Sequence, residues 1–253
     1  MTTTIEHKLL TLADLHKQAT RLAQSLAKYK FPAVRPGNEF SLPAATVVAS
    51  HLGVPLCLET FVDSDVLAIF DIVSSPVSEA DHPAAAVYVT NEQAGRNLCS
   101  FACMTYTNFA EWRFLHEYYV TQAAFDLDGL LCEDPHVPDN DPGYIQHLIN
   151  AKPLYLIQQI PIVIITARCE IYRLQTEQWL KNNNILVKEL VMWPYEEAKR
   201  WEIPTAIASW KAAELTKRPE IKYYFESDVV QSKLIAEYAR IPVVCLPAGL
   251  LYW

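Results

Sequence analysis

The sequence predicts an α/β protein of two domains, each built on a mostly parallel sheet, and three observations carry that expectation. Short apolar runs rich in β-branched residues recur at 66–73, 85–90, 162–165 and 243–246, each of strand length. Between them lie stretches with apolar residues at three- and four-residue steps, and strands alternating with helices argue for parallel pairing. The alternation occurs in two series, one on either side of an aromatic-rich segment at 109–119, and 253 residues suffice for two modest domains.

Composition narrows the class. Hydrophobic residues make up 51% of the chain and charged ones 20%, a balance that supports a proper core. A formal net charge of −8 argues against a sequence-independent nucleic-acid binder, which needs a basic surface to displace counterions. Small phosphorylated metabolites remain suitable ligands, because a metal and one lysine can meet their charge locally. Met1 to Thr4 show no basic-then-apolar leader and no apolar run reaches membrane-spanning length, so a cytoplasmic protein without membrane contact is expected. Self-association stays open. The six cysteines form no C-x-x-C pair and read as reduced thiols. Cys99 and Cys103 are spaced to share a helix face.

In the first series, Leu12, Leu15, Ala19, Leu22 and Leu26 form one stripe of a helix that Pro32 stops near Tyr29. An extended piece at 33–35, a helix at 43–52 with Gly53 as terminator, and strands at 56–60, 66–73 and 85–90 follow. The aromatics around Trp112 and Phe114 read as packing residues rather than a base-stacking platform, since only Arg113 and His116 interleave them. The second series has strands at 123–127, 162–165, 186–192, 223–225 and 243–246. Its helices are expected at 170–181, with Ile171, Leu174 and Trp179 inward, and at 206–216 and 230–240. The polar, proline-bearing stretch 133–143 is the loop candidate.

Phe125-Asp126-Leu127-Asp128-Gly129 is the most informative segment. Residues two apart in an extended chain share a face, so Asp126 and Asp128 point the same way at a sheet tip. Ligand sites in open α/β sheets lie beyond such carboxyl ends, and Gly129 permits a sharp turn beside a ligand. Two carboxylates so close repel unless a cation sits between them or one holds a proton, and either arrangement suits phosphoryl transfer.

With this segment stand Ile-Ile-Thr-Ala-Arg at 164–168, Lys211 in Lys-Ala-Ala-Glu-Leu, and Phe-Glu-Ser-Asp at 225–228. Together, in order, they resemble the four motifs of the haloacid dehalogenase-like phosphohydrolases. The resemblance implies a Rossmann-like domain over 122–253 with a minimal cap, a nucleophilic Asp126, acid–base work by Asp128, and Mg2+ as cofactor. It further implies phosphoryl binding by Thr166, charge neutralisation by Lys211, and metal ligation by Asp126, Asp128 and an acid of the fourth motif. Glu226 and Asp228 both qualify as that acid, and Lys199 or Lys217 could stand in for Lys211. Gly129 and Arg168 are the substrate-binding candidates.

The first domain, 1–121, more faintly resembles the type I phosphoribosyltransferases. Its 66–75 run sits where that family has a diphosphate-binding signature, but Phe70 replaces the first acid and only Asp71 remains. Ser74-Ser75-Pro76-Val77 lacks glycine, and Pro76 removes an amide donor. The order of both halves resembles bacterial and phage proteins that fuse the two domain types. The expected activity is hydrolysis of a small phosphomonoester, a nucleotide or sugar phosphate. The alternatives are a non-catalytic nucleotide- or phosphoribosyl-binding regulator and a working phosphoribosyltransferase.

Overall fold

The structure, a computed structural model, describes residues 4, 6–58, 65–73, 77, 83–105, 110–114, 116–139, 141–194 and 204–253. It divides into two compact units, Leu9–Arg113 and Met1–Lys8 together with Phe114–Trp253. The expected division fell at 121/122 with the chain start in the first domain. The difference arises because Glu6–Lys8 (β1) pairs antiparallel with Leu250–Tyr252 (β11), and because Phe114 joins an aromatic cluster with Tyr119, Tyr223 and Phe225.

The Leu9–Arg113 unit has four parallel strands in the order Val34–Pro36 (β2), Leu67–Val73 (β3), Ala84–Val89 (β4) and Ser100–Met104 (β5). Helix Leu12–Leu26 (α1) starts at a reciprocal cap, Thr11 accepting from the Asp14 amide and Asp14 accepting from the Thr11 amide. Its buried stripe of Leu15, Ala19, Leu22 and Leu26 meets Ala45, Val48 and Ala49 of Leu42–Leu52 (α2) in one core. Gly53 ends α2 in the left-handed conformation, with φ 68°. Leu56 makes only an isolated bridge to Val34, so the strand expected at 56–60 is absent through Leu58; Glu59 and Thr60 lie outside the described residues. Cys103 lies on β5 rather than on a helix, and the described thiols are all free.

The larger unit is a seven-stranded sheet in the order β1-β11-β10-β9-β6-β7-β8. Here β6 is Ala123–Phe125, β7 Ile162–Cys169, β8 Val187–Trp193, β9 Tyr223–Glu226 and β10 Val243–Cys245. Strands β6 to β10 run parallel, and β6 sits between β7 and β9. The chain moves outward from β6 on one side and returns to its other side, which opens a crevice at the carboxyl end of β6. Two short helices, Glu111–Phe114 (α3) and Glu117–Val120 (α4), precede that strand, and Tyr144–Asn150 (α5) lies between β6 and β7. Arg173–Asn182 (α6), Pro204–Thr216 (α7) and Val229–Ala239 (α8) complete the unit.

One helix face departs from expectation. Trp179 is buried at 1% exposure, but Ile171 and Leu174 are exposed at 51% and 78%. Ile171 lies in a tight 3-10 turn at 170–172, out of phase with α6, and Leu174 is five residues from Trp179 within α6, a spacing that places them on different faces. Among the described residues, no helix is long and apolar enough to cross a membrane.

Candidate active site

Register brings the acidic residues together. Phe125 pairs with Ile164 on one side and Phe225 on the other, so Asp126 and Glu226 follow paired positions on neighbouring strands. The Asp126 amide donates to the Phe225 carbonyl at 2.8 Å, which continues the pairing one residue past β6. Lys211 of α7 reaches in and donates to Asp126 Oδ2 at 2.9 Å and Glu226 Oε2 at 2.7 Å. All three are almost fully buried. Of the three lysines considered, Lys211 is the one that reaches Asp126; Lys217 pairs with Glu214 on the surface, and Lys199 lies outside the described residues.

Two buried carboxylates facing one ammonium leave an excess negative charge. Burial and the neighbouring Glu226 carboxylate push Asp126 well above the usual carboxylate range, against the pull of Lys211. Glu226 moves the other way: burial raises it, but Lys211 and the hydrogen bonds it accepts, including that from the Ser227 amide, hold it ionised. Burial alone would lower Lys211, and the two acids more than reverse that, keeping it protonated.

Asp128 is held differently. The buried Arg168 donates through Nε to Asp128 Oδ2 at 3.2 Å and through Nη2 to Asp128 Oδ1. The remaining guanidinium contacts go to Thr176 Oγ1 at 3.3 Å and Cys132 Sγ at 3.5 Å. Arg168 is 1% exposed, lines the pocket, and its fork fixes Asp128. Thr166 lies on β7, 1% exposed, where its hydroxyl oxygen accepts from the Arg168 amide at 3.2 Å.

Asp126, Asp128, Thr166, Arg168, Lys211 and Asp228 line one pocket of about 370 Å³, so the predicted residues converge on a single cavity. Glu226 is fully buried behind Lys211 with both carboxylate oxygens engaged: Oε2 by Lys211, and Oε1 by the amides of Ser227 and Asp228 at 2.9 and 3.3 Å. Asp228 is exposed to the pocket and caps α8, accepting from the Gln231 amide at 2.7 Å. Gly129 has φ 73°, and a Cβ there would come within 2.7 Å of Ser227 Oγ and Asp134 Oδ2. Its role is close packing of the loop after β6.

Three pocket residues escaped the sequence reading: Asp134, Ser227 and Gln231. Ser227 Oγ donates to the Asp128 carbonyl at 3.0 Å, linking the loops after β6 and β9. Burial, and then Asp128, Glu226 and Asp228, raise Asp134, which shows that it shares their field. An acid on the proline-bearing loop at 133–143 was the available signal.

The donor set suits a hard cation. No group of three or more His, Cys, Asp or Glu side chains forms a ready cage among the described residues. Magnesium needs only one or two carboxylates and keeps its waters. The pocket wall is acidic, with Asp126, Asp128, Asp134 and Asp228 against Lys211 and Arg168.

No family model and no curated protein matches the chain. Among solved structures, a purine phosphoribosyltransferase from Pyrococcus horikoshii Ot3 is similar at 14% identity with a TM-score of 0.32, over 39% of this chain and 89% of that one. A likeness of that strength leaves the chemistry of the site to its geometry.

Proposed function

We propose that the larger unit is a magnesium-dependent phosphohydrolase of the haloacid dehalogenase-like kind, acting on a small phosphomonoester through an aspartyl-phosphate at Asp126. The observation that carries this reading is Asp126 at the tip of a central parallel strand, bonded to the buried Lys211 and facing a pocket shared with Asp128, Thr166 and Asp228. Asp126 and Asp228 are the residues that would hold the magnesium ion. When bound, the ion supplies positive charge to the phosphoryl oxygens and the acidic wall.

Asp126 attacks phosphorus, the bond from phosphorus to the leaving alcohol breaks, and the alcohol oxygen takes up a proton from Asp128. Water then attacks the aspartyl-phosphate, Asp128 accepts its proton, and phosphate leaves with Asp126 restored. Lys211 offsets the charge at Asp126 throughout. Because Thr166 Oγ1 accepts from the Arg168 amide, its own hydrogen is directed elsewhere and can meet a phosphoryl oxygen. Arg168 engages both oxygens of Asp128 and so fixes the carboxyl that exchanges these protons. Orientation and fixed charge supply most of the rate in such transfers. The test is phosphate release from an aryl phosphate with magnesium: Asp126→Asn should abolish it while the folded signal persists, and an unchanged rate rejects the nucleophile.

A second reading concerns the Leu9–Arg113 unit, as a nucleotide- or phosphoribosyl-binding module without turnover. One observation favours it: Arg35, within β2, lines a cleft of about 460 Å³ and has a buried Nε with no partner among the described residues. Turnover is disfavoured because Asp71 is sealed inside the fold, and the Phe70 ring lies 2.7 Å from where a Gly37 Cβ would stand. Thermal shifts with a phosphoribosyl ligand but no diphosphate release on adding a nucleobase would support this reading; diphosphate release would replace it with the transferase.

A further inference from the structure

The pocket is graded from floor to mouth. Asp126, Thr166 and Lys211 are buried at 6%, 1% and 1% exposure, whereas Asp134 and Asp228 are exposed and Gln231 is half-buried. A phosphoryl group on the floor therefore directs its leaving group between the 133–143 loop and the first turn of α8. The polar groups there are the Asp134 carboxylate, the Gln231 side chain and Asp228, the last given to the metal in the phosphohydrolase reading. The Gln231 side-chain oxygen is buried without a hydrogen-bond partner among the described residues, while its backbone amide is anchored by Asp228. A buried acceptor left unmatched costs about 1–3 kcal/mol, which a ligand donor recovers. The terminal torsion of a glutamine is soft, so turning this oxygen into the pocket is cheap.

We infer that the mouth selects phosphomonoesters whose alcohol carries hydroxyl or amino donors, with Gln231 accepting from one of them, and rejects those bearing a second anion beside Asp134. This rests on the phosphohydrolase reading and names its substrate class. The Asp134 carboxylate repels a second carboxylate or phosphate, whereas a hydroxyl meets two acceptors, Asp134 and the Gln231 oxygen.

The experiment compares glycerol phosphate, phosphoglycolate and phenyl phosphate with the full chain and magnesium. Glycerol phosphate and phosphoglycolate are close in size, the former carrying two hydroxyls where the latter carries a carboxylate. The kcat/KM for glycerol phosphate should exceed that for phosphoglycolate at least tenfold, and Asp134→Asn should narrow the gap. Gln231→Met should lower the ratio of kcat/KM between glycerol phosphate and phenyl phosphate about tenfold, the effect of one lost hydrogen bond; Gln231→Glu, which keeps the acceptors, should preserve it. Equal use of the two alkyl substrates, or an unchanged ratio in Gln231→Met, overturns the inference and leaves the hydrolase standing. Failure of the wild-type chain to release phosphate from any of the three overturns the hydrolase reading and the inference with it.

Discussion

Asp71 and Asp126 are both buried aspartates on parallel strands, and they have opposite fates. Asp71, within β3, accepts from Arg113 Nε at 2.7 Å and Nη2 at 2.9 Å, from Trp112 Nε1 at 2.9 Å, and from the Ser41 hydroxyl at 3.2 Å. Its charge is matched and its oxygens are saturated. Burial alone would raise it, but Arg113 and Trp112 bring it below the usual carboxylate range. Asp126 shares one ammonium with Glu226 and faces an open pocket, and it moves upward. A satisfied buried acid stabilises a fold; an undersupplied one beside a cavity is prepared for a ligand.

Lys211→Met should break this contrast hardest. Removing the lone cation between two buried acids should cost about 3–5 kcal/mol in urea unfolding and abolish phosphate release. Near-wild-type stability would mean the pair already carries a proton in place of that charge. Arg113→Leu attacks the other acid: stranding Asp71 should cost about 3 kcal/mol, partly recovered in the Asp71→Asn, Arg113→Leu double variant. An unrelieved double variant would show that Arg113 acts through its packing on the Phe40 ring instead.

The same ion pair sets a pH dependence. The folded carboxyl of Asp71 lies below the unfolded value of about 3.9, so its stabilisation is complete above that pH and disappears as pH falls through the folded value. Acid unfolding should be steeper in wild type than in Asp71→Asn, since Glu189, Glu214 and Glu226 keep their own acid dependence in both; parallel curves would remove Asp71 from the account. Gly129→Ala is smaller, about 1–3 kcal/mol from the positive φ and the approach of Ser227 and Asp134. Smallest is Leu174→Ser, within about 0.5 kcal/mol because the side chain is in solvent. A larger loss there would restore the inward face that the spacing suggested.

These two acids also show what a sequence discloses. Asp126, Asp128, Thr166 and Glu226 were legible because each ends or follows an apolar strand, and period-two alternation places such residues by local geometry alone. Lys211 was harder, since a lysine in a helix is ordinarily exposed and only tertiary packing of α7 buries it. The Asp71 network was not legible at all: Trp112 and Arg113 lie about forty residues away, and no local pattern records that meeting. Asp134 and Gln231 reach the pocket through a loop and a helix cap whose paths depend on the folded sheet. Ile171 failed for the opposite reason, because apolar spacing was legible but the tight turn that shifts its phase was not.

The pairing of β1 with β11 bears on any attempt to dissect the chain. A fragment beginning at Phe114 would lack Glu6–Lys8 and bare the amides and carbonyls of Leu250–Tyr252 along an apolar rim, a template for adhesion between copies. Grafting those three residues back through a short tether, rather than truncating at the apparent seam, is the rational way to obtain the isolated larger unit in monodisperse form.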